Sequence, residues 1–321
     1  MIGSLHLRNF KRFESLDVSG FSKVNLLSGK NNCGKTGLLE AILLACDRTN
    51  SDEIATKFRL VSEGTGQVRN KTSQEYSRWF GRNQSDDWAI WFRHGATLLN
   101  GRAGKIRYQE LENLLPSNFP RRQTRDDHPV YGERIECVAV RSWPYSVDED
   151  LTAYELMLRS DGTEQKFESL LKVLAPHLQS VRSLPAGPND QRALYAHTGL
   201  GQAIPLALLG NGVNRLSAIY SRTLGSKAKI VLIDEIENGL HHSALVELWK
   251  GLKELSDKEG TQIFATTHSM ECIAAASQIF GASPDAGLSF HRIEDVKGVP
   301  TAISIDAALL AGILEDGFEI R

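Results

Sequence analysis

Gly29-Lys30-Asn31-Asn32-Cys33-Gly34-Lys35-Thr36 is a complete G-x-x-x-x-G-K-[ST] phosphate-binding loop. It follows an apolar run, Val24-Asn25-Leu26-Leu27-Ser28, that reads as a buried strand. It opens into Gly37-Leu38-Leu39-Glu40-Ala41-Ile42-Leu43-Leu44, which reads as a helix. Successive backbone N–H groups in such a loop form a concave donor surface, and the helix adds its positive N-terminal end, so polyphosphate charge is compensated without buried counter-ions. Asn31, Asn32, Cys33, Gly34, Lys35, Thr36 and Gly37 are expected to line this cradle, with Gly29 and Gly34 keeping side chains out of it. Lys35 would reach the β- and γ-phosphates, and the Thr36 hydroxyl would complete a magnesium shell, so ATP and Mg2+ are the expected ligands.

Outward from the loop, the residues that complete such a site lie far along the chain. Lys229-Ile230-Val231-Leu232-Ile233-Asp234-Glu235 is an apolar strand ending in two carboxylates. A strand of this kind belongs in the middle of a sheet covered on both faces, and its C-terminal end is where ligands sit in open α/β sheets. Asp234 can hold magnesium, and Glu235 can polarise the water that attacks the γ-phosphate. After a helix from His242 to about Asp257, Thr261-Gln262-Ile263-Phe264-Ala265-Thr266-Thr267-His268 reads as a second buried strand. His268, at its end, is placed to bond the γ-phosphate or the attacking water. The whole is a wound α/β nucleotide domain assembled from both ends of the chain.

The segments Asp234-Glu235-Ile236-Glu237-Asn238-Gly239-Leu240-His241 and Thr266-Thr267-His268-Ser269 resemble the Walker B, D-loop and switch-histidine segments of ABC-type ATPases. The subgroup they resemble most holds RecF, the SMC proteins and the overcoming-lysogenization-defect (OLD) family. The opening Leu7-Arg8-Asn9-Phe10-Lys11-Arg12-Phe13 and the phrase from Ile204-Pro205-Leu206 to Gly210-Asn211-Gly212 are similar to OLD-type ATPases. The resemblance implies an α/β fold, an ABC-type P-loop ATPase head with a mixed sheet and a helical or irregular insertion. It places residues 1–46 and 190–321 in the head and 47–189 in the insertion. It also implies that Arg8, Asn9 and Arg12 line the base and ribose, and that Gly210, Asn211 and Gly212 stand near the ABC signature, which touches the γ-phosphate held by an opposite subunit. The serine and paired glycines of the usual signature are replaced here, and His241 stands where transporters carry the D-loop aspartate. Gln67 and Gln74 are alternatives for a glutamine loop.

Between 45 and 205 no heptad pattern is sustained, so the long coiled coil of SMC-type relatives is not expected. About fifty residues follow His268, too few for the TOPRIM nuclease domain of OLD nucleases. The expectation is an ATPase head that forms a homodimer or higher homo-oligomer and serves a separately encoded nuclease or toxin, in bacterial defence against phage or plasmid DNA. A RecF-like clamp that binds DNA is the alternative, and a transporter's nucleotide-binding subunit is weakened by the irregular signature.

Composition excludes several other classes. The 321 residues carry a net charge of −2, so any polyanion surface must be local. One such patch spans 57–107, with ten Lys/Arg against four acids and seven interleaved aromatics. It suits nucleic-acid contact, but Trp88-Ala89-Ile90-Trp91-Phe92 also reads as a strand packed in a core. Residues 116–132, with three prolines, read as a long loop. No apolar run approaches a membrane span and the start lacks a secretory signal, so a cytoplasmic protein with no membrane partner is expected. Four scattered cysteines, Cys33, Cys46, Cys137 and Cys272, have neither metal-ligand nor disulfide spacing.

Overall fold

The computed structural model describes residues 1–46, 82–84, 89–94, 97–103, 135–142, 146–187, 191–226, 228–281, 283, 285–317 and 320. The chain opens with the hairpin β1 (Ile2–Phe10) and β2 (Phe13–Ser19), followed by β3 (Val24–Ser28) and helix α1 (Lys35–Cys46). Strands β4 (Ala89–His94), β5 (Thr97–Ala103) and β6 (Cys137–Val140) come next, then helices α2 (Val147–Met157) and α3 (Thr163–Leu171). Strands β7 (Ser180–Pro185), β8 (Arg192–His197) and β9 (Ile204–Pro205) lead through a short turn of 3-10 helix, Leu206–Leu209, into α4 (Asn211–Ser226). The remainder is β10 (Ile230–Ile233), α5 (His242–Glu259), β11 (Gln262–Thr266), α6 (Met270–Phe280), the hairpin β12 (Leu288–Val296) and β13 (Val299–Asp306), and α7 (Ala307–Glu315).

A six-stranded sheet of order β13-β12-β3-β11-β10-β6 forms the centre. All neighbours are parallel except the β12–β13 hairpin, so the sheet is mixed. Every residue of β10 is buried, and its alternate residues serve opposite faces. Val231 and Ile233 pack with α4, α5 and α6, whereas Ile230 and Leu232 face α1 and the second sheet, of order β2-β1-β4-β5. Helix α1 is therefore clasped between two sheets, which accounts for a sequence apolar on every side. Its one buried carboxylate, Glu40, pairs with Lys11 at 3.3 Å. A third, three-stranded sheet, β7-β8-β9, carries the chain to the start of α4. No helix among the described residues is long and apolar enough to cross a membrane.

Strand β10 is interior and buried on both faces, as expected, and lies one place from the edge, because β6 pairs beyond it. The interval 47–189 also supplies strands to both head sheets: β4 pairs with β1 and β6 pairs with β10. The reason is hydrogen-bonding: without β4 and β6, the exposed sides of β1 and β10 would be open edges. The 57–107 patch beyond residues 82–84 and strands β4 and β5, the candidates Gln67 and Gln74, and the loop 116–132 lie outside the described residues.

Gln262 ties the two large sheets together. Fully buried at the start of β11, its Oε1 accepts the Ile2 N–H at 2.7 Å, and its Nε2 donates to the carbonyls of Ile2 and Ser22, each at 2.8 Å. Gln262→Leu would take this partner from the buried N–H and carbonyl of Ile2, at ~1 kcal/mol or more each, whereas Ser22 O keeps the Asn25 Nδ2 donor at 2.9 Å. Urea titration should show an unfolding free energy lower by ~2 kcal/mol. A loss under ~0.5 kcal/mol would mean that the bridge is dispensable.

Candidate active site

The parallel register of β3, β11 and β10 sets Leu26, Ala265 and Ile233 in one row, so the residues that follow each strand emerge at one edge of the sheet. There the Thr36 hydroxyl, in the first turn of α1, donates to Asp234 at 3.0 Å to one carboxylate oxygen and 3.2 Å to the other. Thr266 completes a clamp. Its hydroxyl donates to Asp234 Oδ1 at 2.7 Å and accepts the Glu235 N–H at 2.8 Å, while its carbonyl accepts the Ile236 N–H at 3.0 Å. Asp234 is buried, and its carboxyl is pushed above the usual carboxylate range. Burial is the main cause, opposed by hydrogen bonds from Thr266 and Thr36 and assisted by the charges of Glu235 and Glu40.

The loop itself is organised by its neighbours. Leu38 N–H donates to Gly34 O at 3.0 Å, which leaves the N–H groups of Lys35, Thr36 and Gly37 as the unpaired donors at the start of α1. Lys35 Nζ lies across the loop, donating to the carbonyls of Gly29 at 2.7 Å and Lys30 at 3.1 Å. Asn32 adopts a left-handed conformation, φ 61°, that asparagine tolerates. The two glycines also meet a constraint from outside the loop. A Cβ at Gly29 would sit 2.3 Å from Ile293 O of β12 and 2.7 Å from Cys33 Sγ, and one at Gly34 would sit 2.3 Å from Phe13 Cζ. Their bareness lets β12 and the β1–β2 hairpin close on the loop.

That hairpin delivers Arg12, whose guanidinium donates to Asn32 O and pairs with Asp295 at 3.5 Å. Arg8 and Asn9 are not brought there in the same way. Arg8 is paired within the sheet to Ser15 and Ala89, and Asn9 forms a left-handed kink, φ 48°. Lys11, over Gly37 and Glu40, and Phe13, over Gly34, are the residues that join Arg12 against the loop.

Glu235 is the one residue of the strand end with strained backbone, φ 46°. Besides Thr266, buried Arg215 of α4 holds it, donating to the carbonyls of Asp234 at 2.7 Å, Glu235 at 3.2 Å and Arg141 at 2.5 Å. His268 ends the loop after β11 with its side chain 55% exposed, and its ring lies against Glu237. The Gly210-Asn211-Gly212 segment sits elsewhere. Gly210 takes a glycine-only conformation, φ 103°, that stops the 3-10 turn, and α4 starts at Asn211. Its contacts are with the turn after β10: Gly212 lies against Leu174, Leu240 and Gly239, and Asn211 against Gly239. His241 caps α5, accepting the Ser243 N–H, a task that an aspartate performs equally well.

The oxygen-only set of Thr36 and Asp234 suits a hard cation such as Mg2+, which takes one or two protein oxygens and completes its shell from phosphate and water. Among the described residues no group of three or more His, Cys, Asp or Glu would hold an ion unaided. Arg215 and Thr266 are the braces that sequence reasoning missed. Thr266 stands in the quoted strand-end phrase, and Arg215 follows Gly212 by about one helical turn.

A phosphate loop and an acidic strand end in a sheet of this topology define an ABC-type ATPase head. Residues 78–274 match the family described as an AAA domain, putative AbiEii toxin, Type IV TA system, and residues 1–77 match an AAA ATPase domain. The chain belongs to the first of these families. An ATP/GTP phosphatase of Helicobacter pylori is 25% identical over 329 residues, covering 87% of this chain and 88% of that protein. The DNA replication and repair protein RecF of Bacillus thuringiensis is 32% identical over 80 residues, covering 24% of this chain and 20% of RecF. In fold, the chain is similar to an Smc head bound to the C-winged helix domain of ScpA, with a TM-score of 0.54, 16% identity, and coverage of 97% and 99%. An Smc head with an extended coiled coil, bound to a C-terminal domain of ScpA derived from Pyrococcus furiosus, gives a TM-score of 0.54 at 14% identity, with coverage of 98% of each chain. This protein is thus an ATP-hydrolysing enzyme of AAA/ABC type, related to RecF in sequence and to SMC heads in fold.

Ionising a carboxyl whose pKa the fold has raised costs stability as pH rises through the carboxylate range, so the Asp234 charge burdens the fold, and a bound cation would relieve it. Asp234→Asn should raise the melting temperature of the nucleotide-free protein by ~2 °C or more and abolish the further rise that Mg-ATP produces. Retention of the Mg-ATP increment by the variant would remove Asp234 from the metal site.

Proposed function

We propose that the chain is a Mg-dependent ATPase of OLD-like type that dimerises around ATP and senses or gates a separately encoded nuclease or toxin in anti-phage defence. The observation that carries the catalytic part is the direct contact of Thr36 with Asp234, beside Glu235 and at the same sheet edge as His268. Lys35 and the N-terminal donors of α1 neutralise phosphate charge, with Asn31, Asn32, Cys33, Gly34 and Gly37 lining the loop and Arg12 closing over it. Bound Mg2+, on Thr36 and Asp234, supplies further compensation of charge on the phosphate oxygens. Glu235, its backbone pinned by Thr266 and Arg215, holds the attacking water and takes its proton.

Dimerisation is supported by the Gly210-Asn211-Gly212 segment, which opens a 16-residue helix beside Gly239 and Leu240 and so offers a helix N-terminus to an anion held by another copy. The setting in a toxin-type defence system is supported by the family description, an AAA domain, putative AbiEii toxin, Type IV TA system; the separate effector rests on the OLD-like resemblance. Residues 1–46 with 190–321 are the head in this reading, and the cytoplasm is its place of action. The RecF relative favours a second reading, a DNA-maintenance ATPase whose duplex contacts come from the basic 57–107 stretch.

Glu235→Gln should retain ATP binding while slowing hydrolysis at least tenfold, roughly 1.4 kcal/mol or more in barrier. With Mg-ATP it should elute at twice the protomer mass in size-exclusion light scattering. Wild-type turnover in this variant would take the water-orienting role from Glu235, and a monomer with ATP bound would remove the dimer.

A further inference from the structure

Glu237 lies two residues beyond Glu235, in a turn closed by the Asn238 N–H on Glu235 O and the Leu240 N–H on Glu237 O, both at 2.9 Å. Its side chain is only 10% exposed. One carboxylate oxygen, Oε1, accepts the backbone N–H of His268 at 2.8 Å and lies 3.0 Å from Nδ1 of the same residue's ring. The other, Oε2, is buried and accepts no hydrogen bond from any described residue. Behind it sits the Cys272 thiol, which is pushed up to about 12 by burial first and by the charge of Glu237 next. A buried carboxylate with an unpaired oxygen is expensive, and folds keep such groups where a neighbour or a function compensates them. Among the described residues the one basic side chain in contact with Glu237 is His268.

The contact settles which ring nitrogen carries hydrogen. A lone pair on Nδ1 would face a carboxylate oxygen at 3.0 Å and be repelled; a hydrogen there is attracted. Nε2, which has no hydrogen bond among the described residues, is then the nitrogen that the ring presents outward. We propose that Glu237 is a positioning residue for His268, fixing its ring orientation and its Nδ1–H tautomer so that Nε2 offers a lone pair to the attacking water. This rests on the reading that His268 serves the nucleotide site. Two acceptors, Glu235 and Nε2, would take the two hydrogens of one water and leave its oxygen lone pair for phosphorus. Because Glu237 belongs to the loop after β10 and His268 to the loop after β11, the carboxylate also locks the two loops together.

Glu237→Gln is isosteric and keeps an oxygen for the His268 N–H, but it removes the charge. In the full-length protein it should lower kcat about tenfold and leave KM for ATP within about twofold, whereas Glu237→Ala should lower kcat further. In a His268→Ala background Glu237→Gln should not add to the loss, as expected when one residue acts through the other, whereas Glu237→Ala still loses the bond to the backbone N–H of residue 268. Nitrogen-15 spectra of the His268 ring should report the Nδ1–H tautomer in the wild type and a shift toward Nε2–H in Glu237→Ala. An Nε2–H ring in the wild type would overturn the proposal, as would a Glu237→Gln loss that is equally large without His268. Wild-type turnover by His268→Ala would instead refute the role of His268, and the ring spectra, which need no turnover, separate that failure from a failure of the Glu237 contact.

Discussion

Everything at the nucleotide edge depends on a hydroxyl and a carboxylate, 198 residues apart in sequence, meeting at 3.0 Å. Thr36 and Asp234 reach each other because β3, β11 and β10 run parallel and end level, and because Thr266, on the strand between, bonds Asp234 from the other side. The arrangement is strict. A slip of one residue in any of these registers would turn Asp234 or Thr266 to the opposite face of the sheet. The burial of both faces of β10 and β11 forbids the slip, since it would exchange the residues that pack on α1 for those that pack on α4 to α6. The core is what holds Thr36, Asp234 and Thr266 in register.

The price of this arrangement is concentrated at the end of β10. Asp234 is a buried carboxylate whose ionisation the surroundings oppose, Glu235 sits at φ 46°, roughly 1 kcal/mol or more above a relaxed backbone, and Glu237 has a buried oxygen without a partner. Three departures from comfortable chemistry within four residues persist only where neighbours over-determine the backbone. Thr266 and Arg215 do so with hydrogen bonds to the N–H or carbonyl groups of residues 234 to 236. Neither side chain need touch a nucleotide for its loss to be felt.

What the sequence made legible, and what it hid, follows the range of the interactions concerned. The phosphate loop, α1, β10 and β11 are local patterns: a glycine spacing, an all-apolar run, a strand closed by acids. Their boundaries in the fold lie close to those read from the residues alone. The pairings of β4 with β1 and of β6 with β10 are not local, and nothing in Cys137-Val138-Ala139-Val140 says which sheet will take it. A further constraint on Gly29 and Gly34 was hidden for the same reason, because the nearest atoms that a Cβ there would meet belong to Ile293 and Phe13. Arg215 was unreadable as a brace, since an arginine in an amphipathic helix ordinarily faces solvent and only the crossing of α4 over the end of β10 buries it. Family resemblance named Arg8, Asn9 and Arg12 together for the base and ribose; the fold sets Arg12 against the loop, Arg8 in the β1–β2 pairing and Asn9 at the left-handed kink beside it.

The same crossing gives α4 mechanical meaning. Its first turn carries Asn211 and Gly212 against Gly239 and Leu240, and about one turn further on Arg215 grips the carbonyls of Asp234 and Glu235. The helix thus touches the segment after β10 at two places, one beside the proposed dimer contact and one on the backbone of the proposed base. Helices are stiff over so short a span, so a ligand pressing on the N-terminus of α4 displaces Arg215 with it instead of bending the turn between them. Glu237 adds a second route, from the turn that carries Gly239 and Leu240 to His268. An anion bound at the start of α4 by a second copy would therefore bear on both proposed acceptors for the attacking water, through a guanidinium on one side and a carboxylate on the other. In the proposed dimer, hydrolysis would be tied to dimer contact by two short chains of hydrogen bonds and packing, each of them present within a single protomer.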